Sequence, residues 1–565
     1  MRLTLLQLVA NETAVRTLAG RRSFLLIGPA GSGKTTVAVA IIGALLARGL
    51  RVAACAPTHA AAKILARKLQ AAGLELSFCG TVHSLLGLSP SSDDAIRRLH
   101  RSGENRALDF DVLVLDEVSM VGRDLQAEID ALAPPGVLYV GDSAQLPPVM
   151  ATEAPIFSRD IDRAELQEIV RQADGNPIIA ASASIRAGMA AGDLDYDWAV
   201  AAHDGGRGVF CPAGAEALIL LREAFSPYWL LAPDRARILA FTNRRVAQYN
   251  RLIRGWLYGD TATPLVPDER VVCRRPVIRW RPSASGRWQA QTIFSTLEET
   301  TVVRIERGTE PFNFPALPAE SRENNGQWQA LDAWEIAIPV WRVWLAHEAF
   351  GAVMTLMPVD PAHVKQVDAR LIGEARLNRR RWGYRYAFLE RLADLRPPYA
   401  MTVHCSQGAT FGRVFIDFDD LNRAKGSVLF RQRLFYTALT RPAEAALLLR
   451  RDPPPDDPLD EALAAQRVGP GDDDEPLDFS DLPPLAAPPP PVDDGTRALL
   501  ADLHRRRGTL SPWEQGFVAS LIGCRAISPK QAVILRRIVR ERLGTEPIAN
   551  EQRHYLDGIL YGATD

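Results

Sequence analysis

The sequence is short of the features that mark a secreted, metal-stapled or membrane-bound chain. Its six cysteines, Cys55, Cys79, Cys211, Cys273, Cys405 and Cys524, stand far apart with no Cys-x-x-Cys pair. That spacing excludes a zinc ribbon or a disulfide framework and fits a reducing compartment. The longest greasy run, Val37 to Ala47, is about half of what a bilayer span requires. The opening "MRLTLLQLVANETAV" turns polar too soon for a secretory signal. An intracellular protein with no membrane partner is expected.

A surplus of one charge is also missing, with 66 Lys and Arg against 67 Asp and Glu and a net charge of −1. The balance averages unlike parts. Residues 452–495 hold thirteen acids, one Arg and twelve prolines, so this stretch carries −12 and the rest of the chain +11. Proline and acid at that density cannot bury a core, which reads as a disordered linker. The remainder is long enough for several domains. Its basic balance permits a nucleic-acid partner without requiring one.

What is present starts with "SFLLIGPAGSGKTTVAVAIIGALLARGL", an apolar strand, a glycine-rich turn and a helix. Gly28, Gly33, Lys34 and Thr35 fit the pattern GxxxxGK[ST], with Gly31, Ser32 and Thr36 alongside. Glycines let backbone N–H groups wrap phosphates, the helix N-terminus adds its dipole, and Thr35 is placed to hold Mg²⁺. In "DVLVLDEVSM" four apolar residues end in Asp116 and Glu117, which predicts a buried strand. Asp116 is positioned for Mg²⁺ and Glu117 for the attacking water of ATP hydrolysis. A third strand, "GVLYVGDSAQLPPV", brings Gln145 near the γ-phosphate position.

The run "GPAGSGKTT … APTHAAAKIL … TVHSLLG … LVLDEVSM … VGDSAQLPPV" resembles the first motor lobe of superfamily 1 helicases of the RecD-like and Dda-like, 5′-to-3′ group. The family has a glutamine before the P-loop that reads adenine. Glu12 stands at the expected position here, with Gln7 the only glutamine nearby, which puts adenine selectivity in question. "RARILAFTNRRVAQYNRLI" repeats the strand, Thr and helix pattern of "LRVAACAPTHAAAKILARKL". The repeat offers two phosphate grips, Thr58 and His59 in one lobe and Thr242 and Asn243 in the other. The resemblance adds Thr81 and His83 of "TVHSLLG" to the nucleic-acid contacts.

In "MTVHCSQGATF" a histidine stands beside a cysteine. Neighbours on an extended strand face opposite ways, so a His404–Cys405 dyad is rejected. The resemblance instead makes this the motif at the lobe interface, with His404 and Ser406 toward the nucleic acid and Gly408 at the nucleotide. Cys405 stands where the family often has lysine and is expected to be a passenger. Arg171 in "LQEIVRQADGNPI" and Arg441 in "LFYTALTRPAEAALLL" are, by resemblance, arginine fingers to the γ-phosphate.

The resemblance implies an α/β fold of two RecA-like P-loop lobes. The first spans residues 1–160, with a small insertion at about 89–108 that shows little strand character. The second spans 161–267 and 397–451, interrupted at 268–396 by a β-rich, SH3-like insertion. In "NRRRWGYRYAFLERL" the aromatics are expected to pack a helix on the motor rather than stack bases. The acidic linker 452–495 follows, then a small helical module at 496–565, whose two Ser-Pro capping boxes open helices. That module suits nucleic acid or a protein partner. The expected activity is ATP- and Mg²⁺-dependent unwinding on single-stranded DNA and duplex junctions, in a cytoplasmic, nucleoid-associated protein of bacterial or phage type. The alternatives are an RNA helicase, a protein-displacing translocase, or an ATP switch that assembles partners without moving.

Overall fold

A computed structural model describes residues 3–466 apart from short stretches, chiefly 91–98, 102–109, 168–175, 193–201, 283–287, 322–326 and 451–457. Of residues 467–565 it describes Leu500–Leu503, Arg505, Gln515, Val518, Leu521 and Leu535.

Short, wholly apolar strands need cover on both faces, and parallel pairing between helices supplies it. Val52–Ala56, Val112–Leu115 and Val137–Gly141 are buried along their whole length. They lie in a six-stranded parallel sheet, in the order Phe78–Thr81, Val52–Ala56, Val112–Leu115, Val137–Gly141, Phe24–Ile27, Asp162–Glu165. A second six-stranded sheet runs Ala400–Thr402, Ala236–Ala240, Phe411–Asp417, Pro442–Leu449, Arg207–Phe210, Ala202–Asp204. Only its last strand is antiparallel. Two parallel sheets in one chain make an α/β protein of two RecA-like lobes.

The second sheet is interrupted after the helix Asn243–Tyr258 by an antiparallel β insertion. Its five strands stand in the order Gly351–Pro358, Trp334–His347, Glu299–Phe314, Arg270–Cys273, Leu395–Arg396. The first and last of these in chain order pair, Val272 against Arg396 and Cys273 against Leu395. Two helices, Pro361–Leu377 and Arg381–Glu390, cover the far half of that sheet. The aromatic-rich segment therefore packs on the insertion itself and not on the motor. Phe388 meets Phe312 edge-on at 4.9 Å, and Arg385 and Arg381 bind Asp368 and Glu374 at 2.6 and 2.9 Å.

Two readings from the sequence need correction. The polar insertion at 89–108 contains a strand pair, Leu88–Pro90 antiparallel to Leu99–Arg101. Strands of three residues are too short to show a period-2 pattern, so residue type gives little warning of the pair. The proline-rich linker is not unstructured at its start, because Pro458–Ala464 forms a helix. Leu459 and Leu463, four residues apart on one helical face, are buried against the helices Gly214–Ala224 and Asn243–Tyr258. Gln248 donates to the Leu463 carbonyl at 3.2 Å. The chain divides into Met1–Leu477 and Asp478–Asp565. The latter is helical at each described position and buries Leu500, Leu503, Val518, Leu521 and Leu535.

Candidate nucleotide site and nucleic-acid groove

Ligands of open parallel sheets gather at the carboxyl ends of the strands. The turn after Phe24–Ile27 is such a place, with Gly31 and Gly33 in left-handed conformations at φ 85° and 81°. Lys34 opens the helix Lys34–Leu46, and its Nζ donates to the carbonyls of Gly28 and Pro29 at 2.8 and 2.9 Å. At Gly28 a Cβ would stand 2.7 Å from Ser32 Oγ and 2.9 Å from the Leu166 carbonyl. The Thr35 hydroxyl hydrogen-bonds the Asp116 carboxylate. Burial, with the Glu117 charge beside it, raises Asp116 to about 6. Glu117 itself is held at φ 56°, a costly backbone for a non-glycine residue. Its Oε2, Ser32 Oγ and Gln145 Oε1 are buried without hydrogen-bond partners. Three orphaned polar atoms beside a Thr–Asp pair and a lysine fit a phosphate chain with a hard cation, whose remaining ligands are phosphate and water.

Gln7, not Glu12, approaches the P-loop. Its Nε2 donates to the Ser32 carbonyl at 3.0 Å, while Glu12 is exposed. Gln7 is fixed by a capping box with Thr4, the first-turn pattern Thr-x-x-Gln. That pattern was available in the sequence and marks the buried glutamine.

The second lobe meets this site through the helix Val428–Leu439. Tyr436 Oη donates to Asp142 at 2.7 Å and accepts the P-loop N–H of Ala30 at 3.2 Å. Arg186 binds the same buried Asp142 at 2.9 Å. Gln407 donates to the Leu146 carbonyl, and Leu146 N–H donates to Thr437 Oγ1. Asp142 and Tyr436 lie inside the stretches VGDSAQLPPV and LFYTALTRPAEAALLL, but their meeting with each other and with Arg186 depends on long-range docking that no local pattern signals. Arg441 is buried and donates to the carbonyls of Thr437, Ser406 and Ala409 and to Thr440 Oγ1. In this conformation it ties its own lobe together. Arg171 lies outside the described residues.

On the other side runs a groove of about 1200 Å³, lined by both lobes and the insertion. His59, Lys63 and Arg67 contribute from the first lobe, one helical turn apart on a single face. Asn243 and Arg251 come from the second lobe, Arg274 and Arg275 from the insertion. Thr58 also lines it while capping its helix at Ala61 N–H. Thr242 repeats the cap, accepting the Arg245 N–H at 3.2 Å, but its own donors are engaged elsewhere. Its N–H and that of Phe241 donate to Asp420 at 2.8 and 2.7 Å, and its hydroxyl binds the same carboxylate. The second grip therefore has those donors consumed internally, a long-range contact that no local pattern signals.

The other proposed strand contacts fall elsewhere. Thr81 caps the short helix Val82–Leu86, and His83, its pKa lowered by burial, stands on that helix away from the groove. Ser406 is fully buried and donates to the Val403 carbonyl at 2.7 Å. His404–Ser406 is a turn of 3-10 helix rather than a strand, so the opposite-faces rule does not apply. Cys405 lines the groove, where Arg274 Nη1 approaches its Sγ at 3.6 Å. His404 instead packs beside Phe241 and Phe430. Gly408 is not at the nucleotide. At φ 77° it presses against the first lobe, where a Cβ would stand 2.8 Å from Ala61 Cβ and 3.3 Å from Thr58 Oγ1.

Burial lowers His404 from 6.5 to about 4. Between those values the unfolded chain holds a proton that the folded chain refuses, so stability falls as pH drops through the window. The His404→Asn variant should lose less stability between pH 7 and pH 5 than the parent, as read from urea midpoints. Equal losses would place His404 in water rather than in its aromatic setting.

The chain is similar to several known proteins. Residues 10–203 match the AAA domain family and residues 397–449 the UvrD-like helicase C-terminal domain. The chain is 30% identical over 293 residues to the ATP-dependent DNA helicase Dda of Enterobacteria phage T4, covering 49% of this chain and 62% of Dda. It is 37% identical over 183 residues to the ATP-dependent RecD2 DNA helicase of Deinococcus radiodurans, covering 31% of this chain and 23% of RecD2. The chain thus spans less than two thirds of either relative. Among solved structures it is similar to Pif1 helicase from Bacteroides in complex with ADP-AlF3 and ssDNA, at 18% identity and a TM-score of 0.41, covering 82% and 97% of the two chains. Among the described residues no helix is long and apolar enough to cross a membrane.

Proposed function

We propose that this chain, a superfamily 1 helicase related to Dda and RecD2, is an ATP-driven motor that moves along single-stranded DNA and opens duplex junctions in the 5′-to-3′ sense. The observation that carries the reading is a cation-lined groove across both lobes and the insertion, separate from a phosphate cradle that the second lobe already touches. Lys34 and the N–H groups of the turn bind the phosphates, and Glu117 orients the attacking water. Gln7, held against the P-loop by the Ser32 carbonyl, is the candidate adenine reader. Thr35 and Asp116 would hold Mg²⁺, which neutralises phosphate charge when bound. Arg441 and Arg171 serve as fingers once lobe closure releases Arg441 from its four oxygen partners. His59, Lys63 and Arg67 grip successive phosphates of the strand, and alternate closing and opening of the lobes moves it.

The strand pair Leu88–Pro90 and Leu99–Arg101 is suited to part the duplex, since a base-pair step costs only about 1.4 kcal/mol on average. Strand displacement with ATP on forked, 5′-tailed and 3′-tailed DNA tests the whole reading. Opening of forked and 5′-tailed substrates is expected. Opening of 3′-tailed DNA alone would reverse the polarity, and no opening despite DNA-stimulated hydrolysis would favour a protein-displacing translocase. Equal stimulation by RNA would widen the substrate class.

A further inference from the structure

A groove that grips phosphates has little use for carboxylates, yet five line it: Asp234 and Asp394 face Arg237 and Arg396, Asp360 caps the N–H of Ala362, and Glu298 and Glu299 stand side by side. Glu298 Oε2 lies 3.6 Å from His59 Nε2, bridging from the insertion to the first lobe at the head of the row His59, Lys63, Arg67. The two neighbouring glutamates behave differently. Glu299 is consumed by Arg237 at 2.9 Å and Arg270 at 3.3 Å, both in the second lobe and insertion. Among the described residues Glu298 has no such cation behind it, and its carboxylate accepts the N–H of Ser295, at 2.8 Å, from its own turn.

That turn is built to hold the acid out. Leu297 is left-handed at φ 64°, a conformation a branched residue adopts only when its surroundings impose it. They do so through Leu297 N–H to the Cys273 carbonyl at 2.7 Å, and Cys273 N–H to the Glu298 carbonyl at 2.9 Å. A strand of the insertion sheet thus fixes the turn, and the turn fixes the carboxylate. On the other side, His59 is the first residue of the helix His59–Ala71, where a helix dipole favours an anion.

We propose that Glu298 is an acidic latch that occupies the leading phosphate position of the groove, so that a DNA strand must displace it from His59 before it lies along the lysine and arginine row. The proposal rests on reading the groove as the strand's path. The latch closes the first lobe against the insertion when no strand is present. It also rejects weak, short or poorly charged ligands, because an incoming phosphate must outcompete an anion already fixed in place.

The test is a charge series at one position in the full chain: Glu298→Asp, Glu298→Gln and Glu298→Lys. Binding of a fluorescein-labelled single-stranded oligonucleotide is read by anisotropy without nucleotide, and thermal midpoints check that each variant folds. Glu298→Gln should bind about two- to fivefold more tightly than the parent, the scale of one partly exposed ion pair. Glu298→Lys should bind more tightly again and with a steeper salt dependence, whereas Glu298→Asp should stay near the parent. Affinity that is flat or falling across the series overturns the latch. The variant with Lys63→Ala and Arg67→Ala separates the two layers. If it binds as the parent does, the groove reading fails; if it binds weakly while the Glu298 series is flat, only the latch fails.

Discussion

Glu117→Gln should bind ATP about as well as the parent and hydrolyse it about 10²- to 10⁴-fold more slowly, the usual worth of a positioned base. The substitution keeps shape and hydrogen-bonding reach but removes the charge that holds and polarises water. Two features single out Glu117 rather than its neighbour. Asp116 is engaged by the Thr35 hydroxyl and the Glu117 N–H, the latter at 2.9 Å. Glu117 Oε2 is buried with no partner, on a backbone strained into the left-handed region. Lys34→Ala should differ in kind by losing nucleotide affinity as well as turnover, since its Nζ sits inside the cradle. Single-turnover hydrolysis beside fluorescent-nucleotide binding distinguishes the two. Near-parent hydrolysis in Glu117→Gln would move the water-activating role elsewhere.

Gly408→Ala should reduce DNA-stimulated hydrolysis by about tenfold to a hundredfold, because a misplacement of about 1 Å far from the chemistry can cost as much. The new methyl group would meet Ala61 Cβ at 2.8 Å across the lobe interface, on a backbone at φ 77° that disfavours any side chain. Ala61 lies in the first turn of the groove helix that carries Lys63 and Arg67, so the wedge displaces the grip and the lobe contact together. Adding Ala61→Gly removes the clash but not the backbone strain. It should therefore restore part of the stimulation. No loss in the single variant, or no recovery in the double, would mean that the lobes do not close through this contact.

How much of this was legible in the chain follows from the range of each interaction. The P-loop, the Asp116–Glu117 strand end and the paired strand–helix units are local patterns, and the structure places them as lobes with a common cradle. Gln7 was legible too, through the Thr4 capping box, but the position expected by resemblance fell on Glu12. What escaped depends on residues far apart. Asp420 reaches Thr242 across 178 positions and Tyr436 reaches Ala30 across 406, which no periodicity signals. The strand argument against a His404–Cys405 dyad had the wrong local premise, since a 3-10 turn stands there, and the orientation of His404 toward the nucleic acid came from resemblance and not from a local pattern. The helix Pro458–Ala464 was hidden by its setting, since two leucines four apart decide its fate against surrounding proline and acid.

The interrupted second sheet has a consequence for how the chain is made. Strand Ala236–Ala240 leaves the ribosome with neither of its central neighbours, Ala400–Thr402 and Phe411–Asp417, yet synthesised. At about 5–20 residues per second, the roughly 160 residues in between impose a wait of about 8 to 32 s. An apolar strand with two open edges invites mispairing for that long. The pairing of Val272 with Arg396 and Cys273 with Leu395 shortens the hazard at its far end. As the insertion completes its own sheet, it draws residue 396 back beside residue 272, and the late strands are born next to the one that has been waiting. The insertion is thus a clasp for nascent chain, and slow codons or heat during those seconds would be felt in the second lobe first.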